Sequence, residues 1–220
     1  MRTVGQPHAV VLPGLVVGPA AAGTGGTTHV LIPVIDDGLE RLLRTSLPLP
    51  VDQGDVSFDP PSSTWSAQVN RLTVNLYLYN VSRSPQPPRP AAVRPGARGT
   101  ERRFALPMVE LSYLVSAWAG SPRDEHSLLG DVLTRLLAFQ VLPVEHLVRP
   151  PSSPVQIALA ADDLNRPREL WSGLGGSLKA SFTLVVTVAA DAYDWELAPP
   201  QVTQVVPATS LLDGRESGRP

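Results

Sequence analysis

The chain has no cysteine, one lysine (Lys179) and few aromatic residues, which make up 5% of its 220 residues. Without cysteine it can form neither disulfides nor thiolate metal sites. Its four histidines stand outside the HExxH and related spacings that hold zinc. Nucleophile-elbow, P-loop and dinucleotide-binding motifs are also missing. These absences predict a protein that is not an enzyme and has no catalytic, cofactor-binding or metal-binding residues.

The overall charge is also small. The formal net charge is −2, which argues against a generally basic nucleic-acid-binding protein. The longest apolar run, at 9–22, is too short to span a bilayer as a helix and contains Pro13 and Pro19. We therefore expect neither nucleic acid nor membrane as a partner.

The N-terminal segment 1–33 is interpreted as a flexible extension, since residues 23–28 (GTGGTT) resemble a linker. Arg2 followed by the apolar run at 9–22 is also compatible with a signal peptide. That alternative favours a small secreted binding protein.

Residues 108–132 (MVELSYLVSAWAGSPRDEHSLLGDV) predict a strand, a corner and a helix. The odd positions from Val109 are apolar and the even ones mixed, which is typical of a strand with one buried and one wetter face. Gly120 then breaks the strand, and Ser121 and Asp124 have the spacing of a helix-capping pair. The leucines that follow predict a helix with a broad buried face reaching residue 139.

The remaining periodic segments predict one α+β domain over 34–206, a mostly antiparallel mixed sheet with helices packed on one face. Helices are expected at 34–47 and around 170–174. Strands are expected at 55–58, 71–82, 155–159, 177–190 and 202–206. The tail 207–220 has nothing to bury and is predicted to be flexible. The predicted core and motif residues are Leu43, Tyr79, Tyr113, Trp118, Leu129, Leu133 and Trp171.

Residues 84–103 (SPQPPRPAAVRPGARGTERR) have no apolar periodicity and predict a Pro/Arg-rich loop insertion between two strands that pair as a hairpin. From Arg83 the segment carries six arginines against Glu101 alone, a local charge of +5. Its arginines are candidates for gripping phosphates or an acidic protein surface, and the alternative is a solvated variable insertion. The candidates are Arg94, Arg98, Arg102 and Arg103.

Two further sets of residues permit a functional interpretation beside a structural one. Glu125 and His126 invite an acid–base role, but polar residues in the first turns of a helix are ordinary capping material. Tyr77, Tyr79, Trp118 and Trp171 suggest a ligand-stacking set. Burial against packed helices or a neighbouring subunit explains these four rings more simply, and we favour it.

The order of these segments resembles a known family. The succession IDDGLERLLRTSL (35–47), VSFDPP (56–61), LTVNLYLYNV (72–81), LSYLVSAW (111–118), EHSLLGDVL (125–133) and LWSGLGGSL (170–178) is similar to the cap, or tail-terminator, family of phage-tail-like contractile injection systems. The resemblance is to the N-terminal domain of this protein in extracellular systems of the antifeeding-prophage type. It covers about 34–206, and residues 1–33 depart from it.

The resemblance implies a structural protein without a cofactor. Caps of this kind form a homohexameric ring at the end distal to the baseplate, where they end the inner tube and clamp the last ring of sheath protein. They are assembled in the bacterial cytoplasm and become part of a particle that can be released. Such a ring needs strand edges that a partner completes, and the candidates are Asp55, Val56, Phe58, Val202 and Val205. Another tail or baseplate adaptor is the alternative within the same class.

Overall fold

The computed structural model describes residues 31–47, 49, 52, 54–160 and 167–199. The first half of the chain forms α1 (Leu31–Ser46), β1 (Gly54–Ser57), α2 (Ser63–Ser66), β2 (Leu72–Arg83), β3 (Ala92–Gly96), β4 (Gly99–Arg103) and β5 (Met108–Trp118). The second half forms α3 (Pro122–Leu137), a 3-10 turn (Val144–His146), β6 (Gln156–Leu159), α4 (Pro167–Gly173), β7 (Ser181–Ala189) and β8 (Glu196–Leu197). The strand expected at 202–206 and the tail 207–220 lie outside the described residues.

The strands form two sheets. The larger has the order β1-β2-β5-β7-β6, with antiparallel neighbours except for the parallel pair β1 and β2. The smaller has the order β3-β4-β8 and is antiparallel throughout. The α+β fold class with a mostly antiparallel mixed sheet is therefore confirmed, as is the pairing of β2 with β5.

The two long helices lie on one face of the larger sheet and bury its main core. Ile35, Leu39, Leu42 and Leu43 of α1 are fully buried, as is Val132 of α3. They pack in one cluster with the odd positions of β5 and the even positions of β7. Each buried aliphatic side chain contributes about 1.5–3 kcal/mol relative to exposure. Apolar packing against this face of the sheet holds α1 and α3 in place.

The alternating pattern of β5 predicted one buried and one more exposed face. This prediction is wrong, because both faces of the strand are buried. Every residue from Leu111 to Ala117 is buried, including Ser112, Leu114 and Ser116 on the even positions. Alternation reports side-chain polarity, but small hydroxyl side chains can be buried when another layer covers them. At the Trp118 end of the strand, Trp65 of α2 and Trp171 of α4 contribute to this covering layer.

Helix α3 begins as predicted and buries less than predicted. Ser121 caps it, accepting a hydrogen bond from the Asp124 backbone N–H at 3.2 Å. Its buried stripe is Leu128, Val132 and Leu136, spaced four residues apart. Leu129 and Leu133 are half-buried and Leu137 is 59% exposed. The buried face predicted for this helix was therefore too wide, because only one stripe of its side chains packs fully against the sheet.

A polar contact links α1 to the central strand. Tyr113 is fully buried and its hydroxyl donates to Asp36 Oδ1 at 2.7 Å. Because α1 begins at Leu31, Asp36 lies in the second turn and does not serve the helix N-terminus. Burial raises the pKa of Asp36 above its ordinary 3.8, the Tyr113 hydrogen bond opposes this, and the charge of Asp37 adds to it. The pKa of Tyr113 is also raised. Burial is the largest cause, and the hydrogen bond to Asp36 and the negative charge of Asp36 add to it.

The variant Asp36→Asn tests this contact. A carboxyl whose pKa is raised in the folded state loses stabilisation as the pH rises from its unfolded pKa of about 3.8 through the folded value. The asparagine does not titrate and still accepts the Tyr113 hydrogen bond. The melting temperature of Asp36→Asn minus that of the wild type should therefore increase from pH 4 to pH 7. An equal increase for Asp37→Asn would assign the effect to general charge on α1 and contradict the role of burial.

Candidate functional site

The two edges of the larger sheet differ in their exposure. The outer side of β6 is covered, since the Leu142 N–H donates to the Val155 carbonyl at 2.8 Å and the Ile157 N–H to the Gln140 carbonyl at 3.0 Å. On the outer side of β1 no strand pairs within the part of the chain that the structure describes. An unpaired strand edge is a ready site for a partner. The predicted edge at Asp55, Val56 and Phe58 therefore lies at the open side of this sheet.

A groove of about 420 Å³, here called the β1 groove, runs beside this edge. It is lined by residues of β1, of the turn that follows it, of α2 and of the approach to β2: Asp55, Val56, Ser57, Phe58, Asp59, Trp65, Gln68, Val69, Asn70, Arg71 and Thr73. Asp55 pairs with Arg71 at 3.4 Å. Asp59 Oδ2 accepts from the Trp65 indole at 3.3 Å and from the Ser57 hydroxyl at 3.0 Å. The groove thus presents two carboxylates and one indole ring.

Three tryptophans hold the wall of this groove against the sheet. Trp65 of α2 meets Trp118 of β5 edge-to-face at 5.2 Å, and Trp118 lies 6.2 Å from Trp171 of α4. The Trp171 indole N–H donates to Ser181 and that of Trp118 to Ser116, both at 3.1 Å. Trp171 is buried as predicted and Trp118 is half-buried. Aromatic rings packed edge-to-face or tilted, with satisfied N–H groups, are typical of structural packing.

The four aromatic residues considered as a ligand-stacking set do not form one group: Trp118 and Trp171 pack together, and Tyr79 interacts elsewhere. Tyr79 is half-buried and its hydroxyl lies 3.4 Å from Thr183 Oγ1, apart from the tryptophan chain. The β2–β5 register shifts between Leu78 and Asn80, so Tyr79 sits at a bulge. Its ring is therefore placed by the strand irregularity and not by a ligand pocket.

Glu125 and His126 form no acid–base site. Glu125 is engaged by Lys179, whose ammonium group also lies 4.1 Å from the centre of the Trp118 ring. His126 is exposed on α3. Across the described ranges no three His, Cys, Asp or Glu residues are grouped as metal ligands. Nor is any helix in those ranges long and apolar enough to cross a membrane.

The Pro/Arg-rich segment forms a hairpin, which corrects the expected irregular loop. Strands β3 and β4 pair from Ala92–Arg103 to Gly96–Gly99, and β8 adds a third strand from far along the chain. This small sheet is called the arm. Two guanidinium groups lie over the ring of Trp195, that of Arg94 at 4.1 Å and that of Arg103 at 4.9 Å from its centre. Cation–π stacking replaces the apolar core that the segment lacks.

Most of the candidate arginines are used inside the arm. Arg103 donates to Ser152 Oγ at 2.8 Å and pairs with Asp191 at 3.4 Å, which fastens the arm to the main body. Arg94 pairs with Glu101 at 2.8 Å, and Arg102 lies over Phe104. Arg98 differs from them: it is exposed in the two-residue turn at the tip and makes no ion pair with the described residues. The four arginines are therefore not equivalent.

The structure separates the candidate interface residues into two groups. Asp55, Val56 and Phe58 belong to the β1 groove, whereas the arginines belong to the arm; Val202 and Val205 lie outside the described residues. Sequence reasoning missed Trp65, Asp191 and Trp195, which order these two surfaces. Trp195 stands out as an aromatic residue among polar neighbours, but nothing local indicates that it packs on arginines about 100 positions earlier.

In fold, the chain is similar to terminator proteins of contractile injection particles. One is the PVC sheath/tube terminator of an extracellular contractile injection system, in the extended state, with a TM-score of 0.59, 19% identity and coverage of 82% of this chain and 65% of that one. Another is the anti-feeding prophage cap, a tube-terminating cap, with a TM-score of 0.55, 15% identity and coverage of 78% and 60%. This chain thus spans less than two thirds of each of those proteins.

The family model for the Pvc16 N-terminal domain matches residues 34–204, and the chain belongs to this family. The family resemblance drawn from the sequence is thereby confirmed. No curated protein matches the chain.

Arg103→Ala tests how the arm is fastened. Losing a largely buried charged hydrogen bond costs about 1.5–3 kcal/mol, either in the free energy of unfolding or as local opening of the arm. Thermal unfolding and amide hydrogen exchange over 92–103 should detect it. Arg98→Ala, the same change at the exposed tip, should leave both measurements unchanged. Equal effects of the two variants would contradict the assigned anchor.

Proposed function

We propose that this chain is a structural cap, or tail terminator, which closes the distal end of the sheath and inner tube of a contractile injection particle. The observation that carries the proposal is the family match over 34–204, which spans nearly all the described residues. The likeness in fold to a sheath/tube terminator and to a tube-terminating cap supports it. The role is non-enzymatic, since a terminator acts through contacts.

We further propose that the chain acts as a homohexamer whose partners are the sheath and inner tube proteins of the same particle. An open sheet edge at β1 and a projecting arm give one protomer at least two separate contact surfaces. A ring that seals a tube needs contacts sideways to its own copies and downward to the tube and sheath. Assembly within the bacterial cytoplasm, followed by incorporation into a particle that can be released, belongs to the same proposal.

Deletion of the gene, followed by electron microscopy of purified particles, tests this function. Particles without the cap should have tubes of uncontrolled length or unstable sheaths, and the gene returned on a plasmid should restore uniform ends. An affinity tag on the chain should label the end distal to the baseplate. Normal particles after deletion would refute the cap role, and a label at the baseplate would favour the adaptor alternative.

Replacement of His126 tests whether any chemistry contributes. Because His126 is exposed on α3 and joins no group of metal-ligand residues among those the structure describes, His126→Ala should complement the deletion fully, with uniform tube ends by electron microscopy. A hydrolytic activity of the purified protein that disappears in His126→Ala would contradict the structural role.

A further inference from the structure

The chain divides its charge between two distant regions. The net charge is −2, of which residues 83–103 supply +5, so the rest of the chain carries −7. Within the arm itself, four arginines outweigh Glu101 and Glu196 and give a net charge of +2, so the arm is positive while the rest of the chain is negative. Patches of opposite sign on one molecule favour association between copies when each patch is out of reach of the other.

The β1 groove has the chemistry that receives a guanidinium group. Asp55 and Asp59 supply carboxylates, and Trp65 supplies an indole ring beside them. Arginine pairs with carboxylates through a planar set of donors and stacks on aromatic faces. Arg71 satisfies Asp55 only partly, because their 3.4 Å contact leaves both side chains 45% exposed. The groove retains room for a second cation.

The arm of the same chain cannot fill this groove. Strand β1 pairs with Leu72–Asn75 at the beginning of β2, whereas the arm leaves the sheet after Arg83, at its other end. The twelve residues of β2 separate the two sites by roughly 35 Å. The base of the arm and the groove thus lie at opposite ends of β2.

We propose that the arm tip of one copy docks in the β1 groove of a second copy of this chain, with Arg98 meeting Asp55 and Asp59 beside Trp65. The contact is head-to-tail, so each protomer offers one arm and one groove. A contact of this kind closes into a ring when its rotation allows. The inference rests on the proposed ring assembly and names the surfaces that join its protomers.

Charge reversal tests the contact. Arg98→Glu and Asp55→Arg should each weaken association of the purified full-length chain roughly tenfold or more, because each places like charges together. An equimolar mixture of the two variants should recover assembly, since acidic arms then meet basic grooves and unchanged arms meet unchanged grooves. Sedimentation velocity over a range of concentrations measures both. Melting temperatures check that the variants remain folded.

Two exposed positions on α3 give matched controls, because Arg135→Glu and Asp131→Arg make the same charge changes on a helix that does not line the β1 groove. These variants should associate like the wild type. If Arg98→Glu and Asp55→Arg also associate like the wild type, or if their mixture fails to recover, the proposed contact is wrong. Such a result would leave the cap function standing, because that function is judged by tube ends after gene deletion.

Cross-linking within assembled particles gives a second test, which does not depend on how strongly the purified chain associates with itself in solution. The chain lacks cysteine, so Arg98→Cys and Asp55→Cys introduce the only thiols. A short bifunctional thiol reagent applied to assembled particles should link the double variant into a ladder of multimers. It should link a mixture of the two single variants into dimers only. Efficient linking of either single variant with itself, or no linking of the double variant, would overturn the head-to-tail contact.

Discussion

The antiparallel pairing of β2 with β5 is the constraint on which the rest of the structure depends. These strands run for twelve and eleven residues, and β1 and β7 pair along their two outer edges. Helices α1 and α3 bury one face, and the tryptophan chain covers part of the other. Strand β1 joins at the beginning of β2, and the arm is inserted between the far ends of the two strands. Because the pair is long and fixed in register, it keeps the groove and the arm apart.

Local signals made part of this fold predictable. The beginning of α3 depends on Ser121 and Asp124, which lie three residues apart and interact directly, so the sequence alone predicts the cap. At the Trp118 end of β5, the second face is covered in part by Trp65 and Trp171, which come from segments more than 40 residues away on either side. The alternation of polar and apolar residues within a strand does not predict which distant residues will pack on it. The predicted strand was therefore correct, while its solvent exposure was wrong.

The arm is a second case in which local sequence patterns fail to predict structure that depends on distant residues. Its proline and arginine content is typical of disordered segments, and its own residues supply no apolar core. Order comes from Trp195, which lies against Arg94 and Arg103, and from the pairing of Arg103 with Asp191. Each exposed cation–π contact contributes about 0.5–1 kcal/mol, too little for a three-stranded unit to fold alone. Attachment to the larger sheet makes these small contributions sufficient, since the backbone on both sides is already fixed.

The division of charge bears on how the proposed terminating ring would be built. Contacts between opposite charges fix orientation and speed encounter more than they add final affinity. Protomers joined mainly through an arginine tip and an acidic groove would orient correctly but associate modestly when alone. The end of a tube that binds several protomers side by side raises their effective concentration, so a weak lateral contact is enough to close the ring there. Strong self-association would instead produce free rings in solution, in competition with growing tubes. A modest lateral contact of defined direction therefore suits a protein that must assemble at one end of a filament.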